Sequence, residues 1–93
     1  MKTHAIILES QGGPEVMQLK TIDIAEPCEG EILIEQTAIG LNYMDVYQRS
    51  GYYKMQTPMH LGLEAAGTVI KLGSDVTHLN VGDRVCYGPN LGA

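Results

Sequence analysis

The segment from Leu61 to Tyr87, LGLEAAGTVIKLGSDVTHLNVGDRVCY, constrains the fold more than any other part of the chain. Glu64–Leu72 reads as a strand with Gly67 in its interior, and Asp83–Tyr87 reads as a second, shorter strand. A Gly-Ser-Asp step at Gly73–Asp75 and a Gly-Asp-Arg-Val step at Gly82–Val85 supply the turns. Glycine inside a strand weakens it and marks a bend or a close approach of another backbone. Position 67 is therefore expected to be such a point.

The rest of the chain is punctuated in the same way. His4–Leu8 is a short apolar run ended by Gln11-Gly12-Gly13-Pro14, a strand followed by a turn. Val16–Ile24 alternates imperfectly and suits an antiparallel partner, so a hairpin is expected. After Pro27–Gly30, the segment Glu31–Asn42 is enriched in β-branched residues and bounded by Gly40, which favours a strand. Tyr43–Arg49 lacks Gly and Pro and reads as one short helix. Asn42 is its expected N-cap, and Asp45 puts favourable charge in the first turn. Gly51 closes it with a left-handed stop. Tyr52–His60 is expected as loop, biased to extended backbone by Thr57-Pro58. Short strands, glycine turns and one helix make a mainly β chain, a small curled antiparallel domain.

Length and composition bound the function. Ninety-three residues suffice for one small domain. The apolar content of 44% is that of a globular chain. Net charge is −5, with only six Lys plus Arg and no basic cluster, which argues against nucleic acid as a partner. Cys28 and Cys86 are too few and too far apart for a disulfide framework or a clustered metal site. They read as reduced thiols in a cytoplasmic protein. No long apolar stretch follows the N-terminus, so neither a signal peptide nor a membrane span is expected. Gly12-Gly13-Pro14 cannot serve as a phosphate loop, because Pro removes a backbone donor and no helix is expected there.

The glycine-rich segment resembles the signature of the medium-chain dehydrogenase/reductase superfamily, G-x-E-x-x-G-x-V followed by V-x-x-x-x-x-G-D-R-V. The matching residues are Gly62, Glu64, Gly67, Val69, Val76, Gly82, Asp83, Arg84 and Val85. Gly12–Val16, Ala38–Asn42 and Tyr47–Gly51 narrow this to a resemblance with the NADPH quinone oxidoreductase, ζ-crystallin-like branch. That resemblance implies a GroES-like, partly open β-barrel with one short helix. It also implies that residues 1–93 are the N-terminal, catalytic-domain portion of a longer enzyme. Such enzymes continue into a Rossmann nucleotide-binding domain, which this sequence does not supply. The Pro89–Ala93 segment is neither a polar tail nor a helix cap, and the chain is expected to stop inside a domain.

From spacing alone, Asn42, Asp45 and Tyr47 are an N-cap, a first-turn acid and a half-buried tyrosine. The resemblance implies more. Asn42 would hydrogen-bond the cofactor's ribose or the substrate region, Asp45 would share that cofactor-binding face, and Tyr47 would wall the nicotinamide ring. The Ser-Gly-x-Tyr pattern ends at Tyr53, whose phenol would meet a quinone carbonyl while its ring covers the substrate. Tyr53 and Asn42 are thus the candidate catalytic residues. Arg49 reads as a surface residue. Glu64 is expected to be a buried structural anchor satisfied by Arg84 or backbone donors, and Asp83-Arg84 a turn with an ion pair. Zinc-dependent relatives have a Cys where Asn42 stands and a His where Leu63 stands. Neither residue here is a ligand for catalytic zinc, and His60 reads as a loop histidine, so no metal is expected. The implied cofactor is NADPH and the implied partners are a quinone-like molecule, a Rossmann domain and a second subunit in a homodimer. The competing readings are part of a zinc-dependent alcohol dehydrogenase or a free-standing GroES-like binding module.

Overall fold

Glycine flanks several of the strand ends, at Gly40 after Ile39 and Gly73 after Leu72. The protein is described by a computed structural model over residues 1–89. In chain order the elements are β1 (Lys2–Leu8), β2 (Met17–Asp23), β3 (Ile32–Ile39), α1 (Tyr43–Ser50), β4 (Met59–His60), β5 (Ala65–Leu72) and β6 (Arg84–Tyr87). They form two three-stranded antiparallel sheets, ordered β2-β1-β4 and β3-β5-β6. The expected hairpin is present, with Lys2 opposite Asp23 at one end and Leu8 opposite Met17 at the other. Gly51, at φ 93° and ψ 4°, ends α1 in the left-handed conformation that glycine adopts without steric cost. Residues 90–93, including most of the ending discussed above, lie outside the described residues.

Three local readings are corrected. Met59–His60 is a short strand rather than loop, because the free edge of β1 pairs it with Ile7 and Leu8. His60 is therefore a strand residue. Pro14–Val16 forms a single 3-10 turn where no helix was expected, with the Val16 N–H donating to Gly13 O at 3.1 Å. β3 stops at Ile39 rather than running to Asn42, because the chain leaves the ladder at Gly40, whose N–H is taken by Glu64 O at 3.2 Å.

The core is thin. Leu8 and Val69 are fully buried, with Ile7 and Ala65 beside them. Burial alternates along β5 from Ala65 to Val69, the period-2 signature of a strand with one face covered. The radius of gyration is 14.4 Å, against about 12 Å for a compact domain of this length. The cause is visible between the sheets. Among the described residues they do not join into a closed barrel, and an open cleft of about 1220 Å³ with a mixed lining lies between them. Ile6, Ile24, Ile32, Ile34 and Ile70 line it.

One exposed ion pair ties the segment before Pro27 to β5. Lys71 Nζ lies 2.8 and 2.9 Å from the two carboxylate oxygens of Glu26. The hydrogen bond and charge of Lys71 hold the Glu26 carboxyl below its ordinary value. A depressed carboxyl contributes stability that is present above the unfolded-state value and lost as pH falls through the folded one. Solvent exposure keeps that contribution small. A carboxyl-detected NMR titration should give Glu26 a midpoint below the ordinary glutamate range, and Lys71→Met should move it back up. An unchanged midpoint in the variant would show that the pair is not populated.

Candidate functional site

Helix α1 organises the candidate residues from its first turn. Asn42 has extended backbone at φ −124° and ψ 154°, and its carbonyl accepts the Asp45 N–H at 2.9 Å. The Asp45 carboxylate reaches back to accept the Asn42 N–H at 3.0 Å. This satisfies a donor that a helix start leaves free and puts negative charge at the positive end of the helix dipole. Asp45 is only 4% exposed, so it holds Asn42 from beneath rather than facing outward. The second buried polar residue is Gln48, one turn further on the same helix. Asp45 Oδ1 and Gln48 Oε1 have no hydrogen-bond donor among the described residues.

The Asn42 amide faces Glu64, donating from Nδ2 to Oε2 at 3.1 Å. This corrects the reading of Glu64, which is exposed rather than buried and pairs with Asn42 rather than Arg84. The reason is its position. Glu64 precedes β5, and its side chain lies across Gly40, where any Cβ would collide with the carboxyl group. Asp83 and Arg84 form no ion pair among the described residues. The Asp83 carboxylate instead accepts the Asn80 N–H at 2.9 Å, closing the turn before β6.

The other end of α1 carries an aromatic cluster centred on Tyr47. Its ring centroid lies 4.7 Å from that of Tyr52 with the planes tilted by 31°. Tyr43 and Tyr53 approach edge-on, at 5.1 Å and 68° and at 5.5 Å and 83°. The Tyr53 N–H donates to Tyr47 O at 3.2 Å, which folds the loop after Gly51 back over the helix. Tyr47 is half-buried, whereas Tyr43, Tyr52 and Tyr53 are exposed. Such ring pairs contribute roughly 0.5–1.5 kcal/mol each beyond area burial. The result is a cluster of four tyrosine rings packed on one another, three of them exposed to solvent.

The structure thus brings Tyr47 and Tyr53 into ring contact, and it couples Asn42 to Asp45 and Glu64. Tyr43 joins the cluster without having been singled out, although its spacing of four residues from Tyr47 places both on one helix face. Arg49 is half-buried rather than a surface residue. Its guanidinium donates to Gly12 O, and the Gly12 N–H donates back to Arg49 O at 2.8 Å. Gln11 was also missed. Its contacts lie 37 to 44 residues away in sequence, beyond any local pattern. Among the described residues no group of three or more His, Cys, Asp or Glu is arranged to hold a metal ion. No helix there is long and apolar enough to cross a membrane.

A partly open, mainly β chain with this Asn-capped helix has clear relatives. The profile of the alcohol dehydrogenase GroES-like domain matches residues 28–93, and the chain belongs to that family. Within it, the chain is 50% identical over 90 residues to a quinone oxidoreductase of Salmonella typhimurium, covering 95% of this chain and 28% of the relative. A quinone oxidoreductase of Escherichia coli is 49% identical over 90 residues, with the same coverage. The crystal structure of Escherichia coli quinone oxidoreductase complexed with NADPH superposes with a TM-score of 0.88 at 46% identity, covering 94% of this chain and 27% of that one. The chain therefore spans a little over a quarter of the length of these relatives.

Proposed function

We propose that residues 1–93 form the N-terminal, GroES-like catalytic-domain portion of a zinc-independent, NADPH-dependent quinone oxidoreductase. The Tyr47-centred ring cluster at the end of the Asn42-capped helix is the observation that carries this reading. The likeness to quinone oxidoreductases at about half identity supports it. The remainder of the site would come from a Rossmann domain in the same protein, and the complete enzyme would act in the cytoplasm as a homodimer. The thin core and the open cleft between the sheets fit a portion that packs against further chain.

The residues present suit one end of the cofactor. Tyr47 offers a flat wall for the nicotinamide, and the half-buried Asn42 offers an amide for its ribose or for the substrate. The sequence contains no glycine-rich phosphate loop, and its net charge of −5 opposes a phosphorylated ligand, so the pyrophosphate must be held elsewhere. When bound, NADPH supplies a hydride to a quinone or other conjugated carbonyl. The chain's own groups orient and shield. The Tyr53 phenol would hydrogen-bond to a carbonyl oxygen of the substrate while keeping its proton, and its ring keeps water from that face. Asp45 acts as a positioning residue by fixing the backbone of Asn42, while Glu64 orients the Asn42 amide. Leu63 and Asn42 stand where zinc-dependent relatives carry ligands, which supports chemistry without metal.

The test is the rate of NADPH oxidation by the full-length gene product with a naphthoquinone, before and after dialysis against a chelator. Equal turnover in both states is expected, with well under one zinc per chain. Tight zinc whose removal abolishes activity would overturn the reading. Within that enzyme, Tyr53→Phe and Asn42→Ala should each lower kcat/KM by about 2- to 10-fold, the equivalent of one lost hydrogen bond. Both should impair turnover more than folding, with Asn42→Ala also losing about 0.5–2 kcal/mol as a replaced N-cap. A large drop in melting temperature with unchanged activity per folded molecule would make both residues merely structural.

A further inference from the structure

Gln11 spends its whole side-chain amide on the segment that carries Tyr52 and Tyr53. Its Nε2 donates to Gln48 O at 2.7 Å and to Tyr53 O at 2.7 Å. Its Oε1 accepts the Met55 N–H at 3.3 Å. One group therefore joins the β1–β2 connection, the last turn of α1 and the loop beyond Gly51. Both amide hydrogens and the amide oxygen are engaged, a set that only a primary amide at this reach supplies. Asn would fall one methylene short, Glu would lack the donors, and an apolar residue would lack everything.

We propose that Gln11 is a positioning residue that presets the tyrosine surface for its flat ligand, by latching the Tyr52–Met55 loop onto Tyr47. This rests on the quinone reading of the site. The latch sits apart from the clamp that holds the connection itself. The bonds that Arg49 and Gly12 exchange do not involve Gln11, so losing the amide leaves the β1–β2 connection joined to α1, while the tyrosine loop loses two bonds and keeps the Tyr53 N–H to Tyr47 O bond as its link to the helix. A loop that is docked only part of the time raises the apparent dissociation constant by the inverse of its docked fraction and leaves chemistry in the docked state unchanged. The latch should therefore act on KM rather than on kcat.

The experiment compares the full-length gene product with its Gln11→Met and Gln11→Glu variants. Gln11→Met keeps the bulk and removes the hydrogen bonds. It should raise KM for a naphthoquinone by about tenfold, as for a loop docked one-tenth of the time, with kcat changed less than twofold. Gln11→Glu sets a carboxylate against two carbonyl oxygens. Its KM should be higher still near neutral pH and should fall as acid protonates the new side chain and restores a donor. Spectroscopy gives an independent readout. In this chain all aromatic residues are tyrosines, and four of the five lie in the cluster. Comparing each variant with the parent in near-ultraviolet circular dichroism should show the tyrosine signal reduced, and the Met55 amide should exchange faster, while the thermal melt barely moves. A parallel loss of kcat and melting temperature with KM unchanged would overturn the proposal, as would an unaltered tyrosine signal and Met55 exchange. If the unmodified protein reduces no quinone, the functional reading fails by itself. The tyrosine signal and Met55 exchange then decide the latch alone.

Discussion

Gly67→Val is expected to abolish folding of this domain, and Gly67→Ala to destabilise it by about 3 kcal/mol or more, at the upper end for overpacking. Gly67 lies in β5 with Gln36 of β3 on one side and Val85 of β6 on the other. A Cβ there would run into the backbone carbonyl of Glu35 and stand 2.8 Å from Ile34 Cγ2 and 2.9 Å from Gln36 Cα. Two of those three obstacles are backbone, so no rotamer change relieves the clash. β3 cannot simply move away, because its ladder already shifts register on both sides of this point, between Leu33 and Ile34 and between Gln36 and Ala38. With Leu8 and Val69 as the only fully buried large side chains among the described residues, the domain has little reserve to offset such a loss. Urea unfolding of the alanine variant checks the size of the effect. A midpoint equal to that of the unmodified protein would mean that β5 does not pack against β3 as described.

The second large effect is on activity. Residues 1–93 expressed alone are expected to oxidise no NADPH in the presence of a quinone, whereas the full-length gene product does so. A dinucleotide is held mainly by a strand, a glycine loop and a helix N-terminus that receives the pyrophosphate. The sequence has no such unit, and its net charge of −5 repels a phosphorylated ligand. The isolated chain should also self-associate on sizing, since Leu19, Ile39, Leu41 and Val81 are well exposed and the cleft between the sheets is open. Calorimetric titration with NADPH should give no heat of binding. Micromolar binding, or turnover by the isolated chain, would show that it is a complete functional unit and would remove the case for a second domain.

How much of this was legible in the sequence varies with how local each interaction is. The hairpin, β5, β6 and the helix were readable because alternation, an N-cap residue and a stop glycine act over a few neighbours. Gly67 was readable as a close approach because a strand glycine has few other reasons to be there. β4 was not, since a strand of two residues has no pattern and exists only because β1 offers a free edge. Glu64 was misread because its exposure depends on Gly40, far away in sequence, which leaves room for the carboxyl to lie across it. Asp45 was expected on the cofactor-binding face; its burial, and the bond its carboxylate accepts from the Asn42 N–H, depend on packing that spacing does not reveal. The tyrosines were visible as residues, while their mutual contact required the loop after Gly51 to fold back, which Gln11 and the Tyr47 carbonyl bring about.

The tyrosine cluster and Asn42 are proposed to form one wall of a nicotinamide and quinone cleft. The most direct test is an NMR experiment on the full-length gene product with bound NADPH and a redox-inert quinone analogue. Nuclear Overhauser contacts are expected from the Tyr47 ring to nicotinamide protons and from the Tyr53 ring to the analogue. The Asn42 side-chain amide resonances should also shift when the cofactor binds. NADPH bound tightly, with no contact to either tyrosine and no change at Asn42, would contradict the proposal.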